Sequence, residues 1–196
     1  MLIQTHRLIS KVICSAIQEK LHIQLDMKGF KYGSIKPDIN HILSSVPHYK
    51  KETQGFVYHM INDLQNRLIP KMGKELRDFS IDLGIVTHYL ADYFCMAHNH
   101  PKYHNILNHV FYEYTLDRRI RKINLNQACI DAIDNISQTM NKCNFSIEAY
   151  IEKEHAQYIG HAHKISFDIK ACMDVCTAVT CMILNKCQQN LSHKVA

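Results

Sequence analysis

His88-Tyr-Leu-Ala-Asp92-Tyr-Phe-Cys-Met-Ala-His98 places an imidazole, a carboxylate and a second imidazole in one short span. His88 and Asp92 are four residues apart, so on a helix they project from one face. His98 follows where the chain reaches His-Asn-His-Pro and a helix is expected to end. A second pair, His109-Val-Phe-Tyr-Glu113, repeats the four-residue spacing. Imidazole and carboxylate together form a ligand set suited to zinc. The first pair sits among Ile81, Leu83, Ile85, Val86 and Leu90. Polar groups buried in such surroundings are costly unless something satisfies them.

Outward from this stretch, apolar residues recur at helical spacing along most of the chain. Ile9, Val12, Ile13, Ile17 and Leu21 predict a helix over 3–24. Gly29, Gly33 and Pro37 mark 28–39 as a loop, and 38–50 reads as irregular. Further helices are expected over 52–68, 76–97, 102–122, 126–141, 146–158 and 166–189. The two candidate ligand pairs lie on the third and fourth of these helices, which a short connection makes neighbours. Neither an internal repeat nor a linker is visible, so the expectation is one compact all-α, multi-helix domain over residues 1–196.

Composition agrees with that reading. Hydrophobic residues make up 46% of the 196-residue chain and charged residues 21%, both ordinary for a globular protein. Six Gly and four Pro are too few for a loop-rich or all-β fold, while His, with 14 copies, is over-represented. No apolar run reaches the roughly 18 residues of a membrane span. Met1-Leu-Ile-Gln-Thr-His6 lacks the basic and apolar regions of a signal peptide, which points to a cytoplasmic location. The eight cysteines lie in apparent helices, where reduced thiols are expected to pack as small hydrophobes. With no Cys-x2-Cys pair, a thiolate zinc site is not expected.

The formal net charge is +5, with basic residues gathered in Asp117-Arg-Arg-Ile-Arg-Lys122. A solvated helix end and attraction to an anionic partner are both open for that run. Aromatic and basic residues do not interleave, so nucleic acid is not the expected partner. No obligate protein partner is evident.

Three upstream residues suit the same chemistry. His6 opens the first helix as either a surface residue or a ligand. His48 lies in Val46-Pro47-His48-Tyr49, where a proline-held backbone suits a fixed ligand and a turn histidine fits equally. Asp38, in Ser34-Ile-Lys-Pro-Asp38, either caps a short helix or orients and deprotonates a water beside a metal. His104 has Asn108 four residues on rather than a carboxylate, so His109 is the preferred ligand. His155, His161 and His163, around Gly160, read as surface loop residues. Tyr49, Phe56, Tyr89 and Tyr93 fit either a core or a pocket lining.

The order His6, Asp38, His48, His88-x3-Asp92-x5-His98, His109-x3-Glu113 resembles the bacterial zinc-dependent phospholipase C family. The likeness runs over roughly residues 1–115; beyond 120 only helical character carries over. It implies an all-helical domain with up to three zinc ions. His48, His88 and Asp92 would hold one and His98, His109 and Glu113 a second. His6 would help hold a third with Asp92 bridging, and Asp38 matches the proposed general base. Secreted members begin with a tryptophan whose amino group and carbonyl bind the third zinc, whereas this chain has no Trp. The membrane-binding C-terminal domain of some members has no counterpart, so only transient contact with a membrane surface is implied.

The resemblance implies a zinc-dependent phosphodiester hydrolase that cleaves phospholipids to diacylglycerol and a phosphorylated head group. Two alternatives stay open. One is a single-strand nuclease-like zinc phosphodiesterase. The other is a non-catalytic helical protein stabilised by zinc.

Overall fold

The computed structural model describes residues 1–40, 48–140, 146–161 and 164–195, and among these the chain is all α, without strands. Nine α-helices follow in order: α1 (Ile3–Leu21), α2 (Met27–Gly33), α3 (Lys36–Ile39), α4 (Lys50–Gln65), α5 (Gly73–Tyr93), α6 (Ile106–Ile120), α7 (Leu125–Met140), α8 (Ile147–Ile159) and α9 (Ile165–Val195). Two 3-10 turns, Met96–His98 and Pro101–His104, join α5 to α6. No helix of the described residues is long and apolar enough to cross a membrane.

The longest helix, α9, packs against α1, α4, α5, α6, α7 and α8. Its apolar residues, among them Ile169, Met173, Val179, Ile183 and Leu184, join Ile13, Ile17, Ile61, Leu83 and Val86 in one hydrophobic cluster. Seven cysteines are free and buried, four of them on α9; Cys143 and His163 lie outside the described residues. Burial pushes the Cys14, Cys129 and Cys187 thiols up to about 11 and Cys181 to about 12, so they pack as neutral hydrophobes.

The structure departs from the periodicity at three places. The stretch expected as a loop, 28–39, holds the short helices α2 and α3. Asp26 caps α2 by accepting the Gly29 N–H, and Pro37 sits in the first turn of α3. These two elements are too short to persist alone; packing holds α2. Gly33 and Gly84 let α2 and α5 meet backbone to backbone. A Cβ on Gly33 would lie 2.1 Å from the Ile81 carbonyl oxygen, and one on Gly84 2.3 Å from that of Phe30.

The helix expected over 76–97 stops at Tyr93, and the chain turns through Phe94 and Cys95 into the first 3-10 turn. The helix expected from 102 begins at Ile106, after a 3-10 turn. Asn105 caps it, its side chain accepting from the Leu107 and Asn108 N–H groups. These breaks swing His98 off the axis of α5, and α6 packs against α1, α9 and the two 3-10 turns rather than along α5.

Candidate metal centre

All eight residues singled out in the sequence gather where α1, α3, α5 and α6 converge. Each arrives on a different local rule. His88 and Asp92 project from one face of α5 at the expected spacing, and both are fully buried. His6 lies on the buried face of α1. Its helix is anchored there because Thr5 Oγ1 donates to Asp117 Oδ1 of α6 at 2.8 Å, and Arg121 closes on the same carboxylate. His48 leads into α4; its preceding Pro47 lies outside the described residues. Asp38 comes from α3.

At the inner end, His48 Nδ1 stands 2.8 Å from Asp92 Oδ2 and 3.2 Å from His88 Nε2. His88 Nε2 and Asp92 Oδ2 are 3.4 Å apart, as are His6 Nε2 and Asp92 Oδ1. Asp38 Oδ1 lies 3.7 Å from His88 Nε2 and 3.9 Å from His48 Nδ1, so ligation is open to it beside the role of a base. The His6 and His88 rings stack at 4.1 Å. At the outer end, Glu113 Oε1 lies 2.9 Å from His109 Nε2 and 3.2 Å from His98 Nε2. Asp92 Oδ1 reaches towards that end too, 3.5 Å from His98 Nε2.

The donors fit a zinc cluster. Two ligands of a tetrahedral zinc at its usual bond lengths stand about 3.3 Å apart. Three groups keep their ligand atoms within 4.8 Å of one another: His6, His88 and Asp92; Asp38, His48 and His88; His98, His109 and Glu113. His88 belongs to two of these groups, and Asp92 lies within 3.5 Å of at least one histidine of each. His6 Nε2 and Asp38 Oδ2 are buried without a hydrogen-bond partner among the described residues. A protein seldom leaves such atoms unsatisfied, and a cation would satisfy both.

Electrostatics point the same way. Burial drives the His88 and His98 imidazoles down, keeping them neutral and able to ligate. Burial opposes ionisation of Asp92, but the Met1 amine and three surrounding histidines hold it well below the usual range. Glu113 is held down in the same manner, chiefly by the Met1 amine, His109 and His98. The hydrogen bond that His109 donates to Glu113 raises His109; His48 also rises, because Asp92 outweighs its burial. Burial raises Asp38. The Met1 amine itself lies 3.2 Å from His98 Nε2 and 3.0 Å from Glu113 Oε1. Asp92 and Glu113 outweigh its burial and push it up to about 12. It stands between Asp92 and the His98–Glu113 pair, which the resemblance assigns to the second zinc.

Residues that the sequence reading left out hold these side chains in place. His88 Nδ1 donates to the Ser34 carbonyl at 2.9 Å, which turns Nε2 towards the cluster. Ser34 occupies that spot because of the Gly33–Gly84 approach. Asp168, fully buried on α9, accepts from the Met96 N–H at 2.8 Å and from the Tyr112 hydroxyl at 2.6 Å. It thereby ties the turn bearing His98 to α6. Asn99 donates to the Tyr93 and Cys95 carbonyls, both at 2.8 Å. No local sequence pattern marks Asp168 or Ser34, since their partners are more than fifty residues away.

A cleft of about 560 Å³ opens beside His98, lined among others by Tyr49, Lys50, Gln54, His104 and His155. His155 departs from the surface-loop reading: it lies within α8, 3.2 Å from Asn99 Oδ1, and packs edge-on against Phe94. Burial, reinforced by Lys50, lowers it to about 4. His161 is exposed, as expected. Tyr89 and Tyr93 belong to the core, Tyr49 lines the cleft, and Phe56 is partly exposed against the Tyr89 ring.

Comparison with known families gives one finding. The family described as zinc-dependent phospholipase C matches residues 5–165. The match extends past residue 120, where the sequence reading saw helical character alone. No curated protein and no solved structure matches the chain.

Proposed function

The chain belongs to the zinc-dependent phospholipase C family, and from that premise we propose that it hydrolyses the phosphodiester of phospholipids, releasing diacylglycerol and a phosphorylated head group. The observation that carries the reading is the convergence of three neighbouring ligand groups, two of them sharing His88, beside an open cleft. The inner ions would be held by His48, His88 and Asp92, with Asp38 in reach, and by His6 with Asp92. The outer ion would be held by His98, His109 and Glu113. Bound zinc supplies Lewis-acid stabilisation of the phosphodiester's charge and lowers the pKa of a water molecule.

The chain's own residues supply the rest. Ser34 fixes the imidazole of His88 through Nδ1 and leaves Nε2 free, so that part of the ligand cage is set before substrate arrives. Asp38 Oδ2, which has no hydrogen-bond partner among the described residues, would take the proton as water attacks phosphorus. The raised affinity of Asp38 for a proton suits that role. The cleft against His98, lined by Tyr49, Lys50 and His104 among others, receives one substituent of the diester.

The test is turnover of phosphatidylcholine and of single-stranded DNA by untagged, zinc-loaded protein and by Asp38→Asn. Lipid hydrolysis by the parent protein is expected, with full zinc content and most turnover lost in the variant. A variant that stays fully active refutes the base assignment. One that loses zinc makes Asp38 a ligand. DNA cleavage without lipid hydrolysis selects the nuclease alternative, and tight zinc binding without any hydrolysis selects the structural one.

A further inference from the structure

The helix that carries His109 and Glu113 inward presents an unusual surface outward. On α6, Leu107 is 77% exposed, Phe111 71% and Ile106 70%, with Val110 and Tyr114 about half exposed. These five large apolar side chains recur over two turns on one side of the helix. Single exposed apolar residues are ordinary, but a contiguous group of this size marks an interaction surface. Charge distinguishes the partner. Across 101–124 the acidic residues are Glu113 and Asp117, and both are buried. Lys102, Arg118, Arg119 and Lys122 of the same segment are all exposed, and Arg118 lies 6.0 Å from the centre of the Tyr114 ring. An apolar strip bordered by cations, with no exposed carboxylate, has the chemistry of a helix that lies in the interface of an anionic bilayer. Position supports it as well. The 3-10 turn Pro101–His104 that leads into α6 also lines the cleft beside His98.

We propose that the outer face of α6 docks the protein onto a lipid surface bearing anionic head groups, with Ile106, Leu107 and Phe111 entering the interface. This rests on the phospholipase reading for one point alone, that the cleft mouth thereby faces its substrate. Basic side chains at the C-terminal end of α6 meet the head groups, while the cation-free first two turns sink into the acyl boundary. The Arg118–Lys122 run, left open by the sequence, thus gains a partner.

Sedimentation with vesicles tests the assignment. Zinc-loaded protein is mixed with phosphatidylcholine vesicles or with vesicles of equal parts phosphatidylcholine and phosphatidylglycerol. The parent protein is expected to favour the anionic vesicles and to lose that preference in high salt. Leu107→Glu/Phe111→Glu is expected to bind at least tenfold more weakly while keeping its zinc content, its circular dichroism and its hydrolysis of a water-soluble phosphodiester. Arg118→Gln/Arg119→Gln/Lys122→Gln, a milder change, is expected to bind both vesicle types alike. Failure of the parent protein to bind either vesicle overturns the proposal, as does unchanged binding by the first variant. A parent protein that is dimeric, with a monomeric Leu107→Glu/Phe111→Glu variant, also overturns it, because the face then belongs to a second copy. Vesicle binding that follows these substitutions, in a protein that hydrolyses no phosphodiester, upholds the docking face and refutes the hydrolase reading alone.

Discussion

The two ends of the ligand cluster are built differently. At the inner end His6 is 1% exposed and His88 and Asp92 are fully buried, on helices packed into the core, with Asp38 and His48 about a fifth exposed at its edge. At the outer end His109 keeps about a fifth of its side chain exposed, and its partner His98 sits on a short turn. His6, His88 and Asp92 therefore serve the fold as well as any bound metal, since their buried polar atoms need a partner within the protein or an ion. The outer residues can lose an ion to solvent at little cost to the core. A metal cluster held across these two ends would tie stability to its inner ions and substrate access to its outer one.

The largest break in that contrast comes from Asp92→Asn. Asp92 faces His6, His48, His88, His98 and the Met1 amine at once, so its charge belongs to both ends. Removing one side of a buried charged pair costs about 3–5 kcal/mol. Elemental analysis should show zinc lost from more than one position, and thermal unfolding should move down by many degrees. Gly84→Ala leaves every ligand in place but drives a methyl into the Phe30 carbonyl and the Ser34 amide. Overpacking of this kind costs about 1–3 kcal/mol, and separation of α2 from α5 releases the Ser34–His88 bond. Lower zinc affinity confined to the inner end is the expected reading, and unchanged affinity would show that His88 needs no such support.

Asp168→Ala tests the outer end through its support on α9. It leaves the Met96 N–H and the Tyr112 hydroxyl buried without their acceptor, at about 1–3 kcal/mol for each group stranded. One zinc should weaken through displacement of His98 while the inner ones persist. His109→Ala should lose that same single zinc with less than about 1 kcal/mol of stability, measured by urea unfolding, because its side chain reaches solvent. Equal destabilisation by His109→Ala and Asp92→Asn would erase the proposed gradient.

The smallest effect is on pH dependence. His155 binds a proton near 6.5 when unfolded and only near 4 when folded. Between those values the unfolded chain holds more protons, so acid favours unfolding. The contribution of His155 is complete above pH 6.5 and is lost as pH falls towards 4. The thermal midpoint of His155→Gln should therefore fall less steeply than that of the parent protein across this interval.

What could be read in the sequence divides along the same lines. The pairs His88/Asp92 and His109/Glu113 were legible because helical periodicity is local, and four residues suffice to align two side chains. The helices themselves were legible for the same reason, to within a few residues at most ends. Illegible were α2 and α3, since Gly29, Gly33 and Pro37 read as breakers until Gly33 meets Gly84 across the helix interface. His155 read as a loop residue because nothing near it in sequence reveals Phe94 and Asn99.

The sequence by itself determined the all-α class, the identity of the zinc-type donors and their pairing along α5 and α6. These follow from side-chain chemistry and from a repeat only four residues long. Tertiary structure alone decided that six separate segments deliver those donors to one place. It also decided that Asp38 stands among the ligands, that Asp168 and Ser34 hold His98 and His88, and that α6 turns its apolar face outward. Each of these depends on contacts between residues far apart in the chain, which form only when burial of the common core draws the helices together.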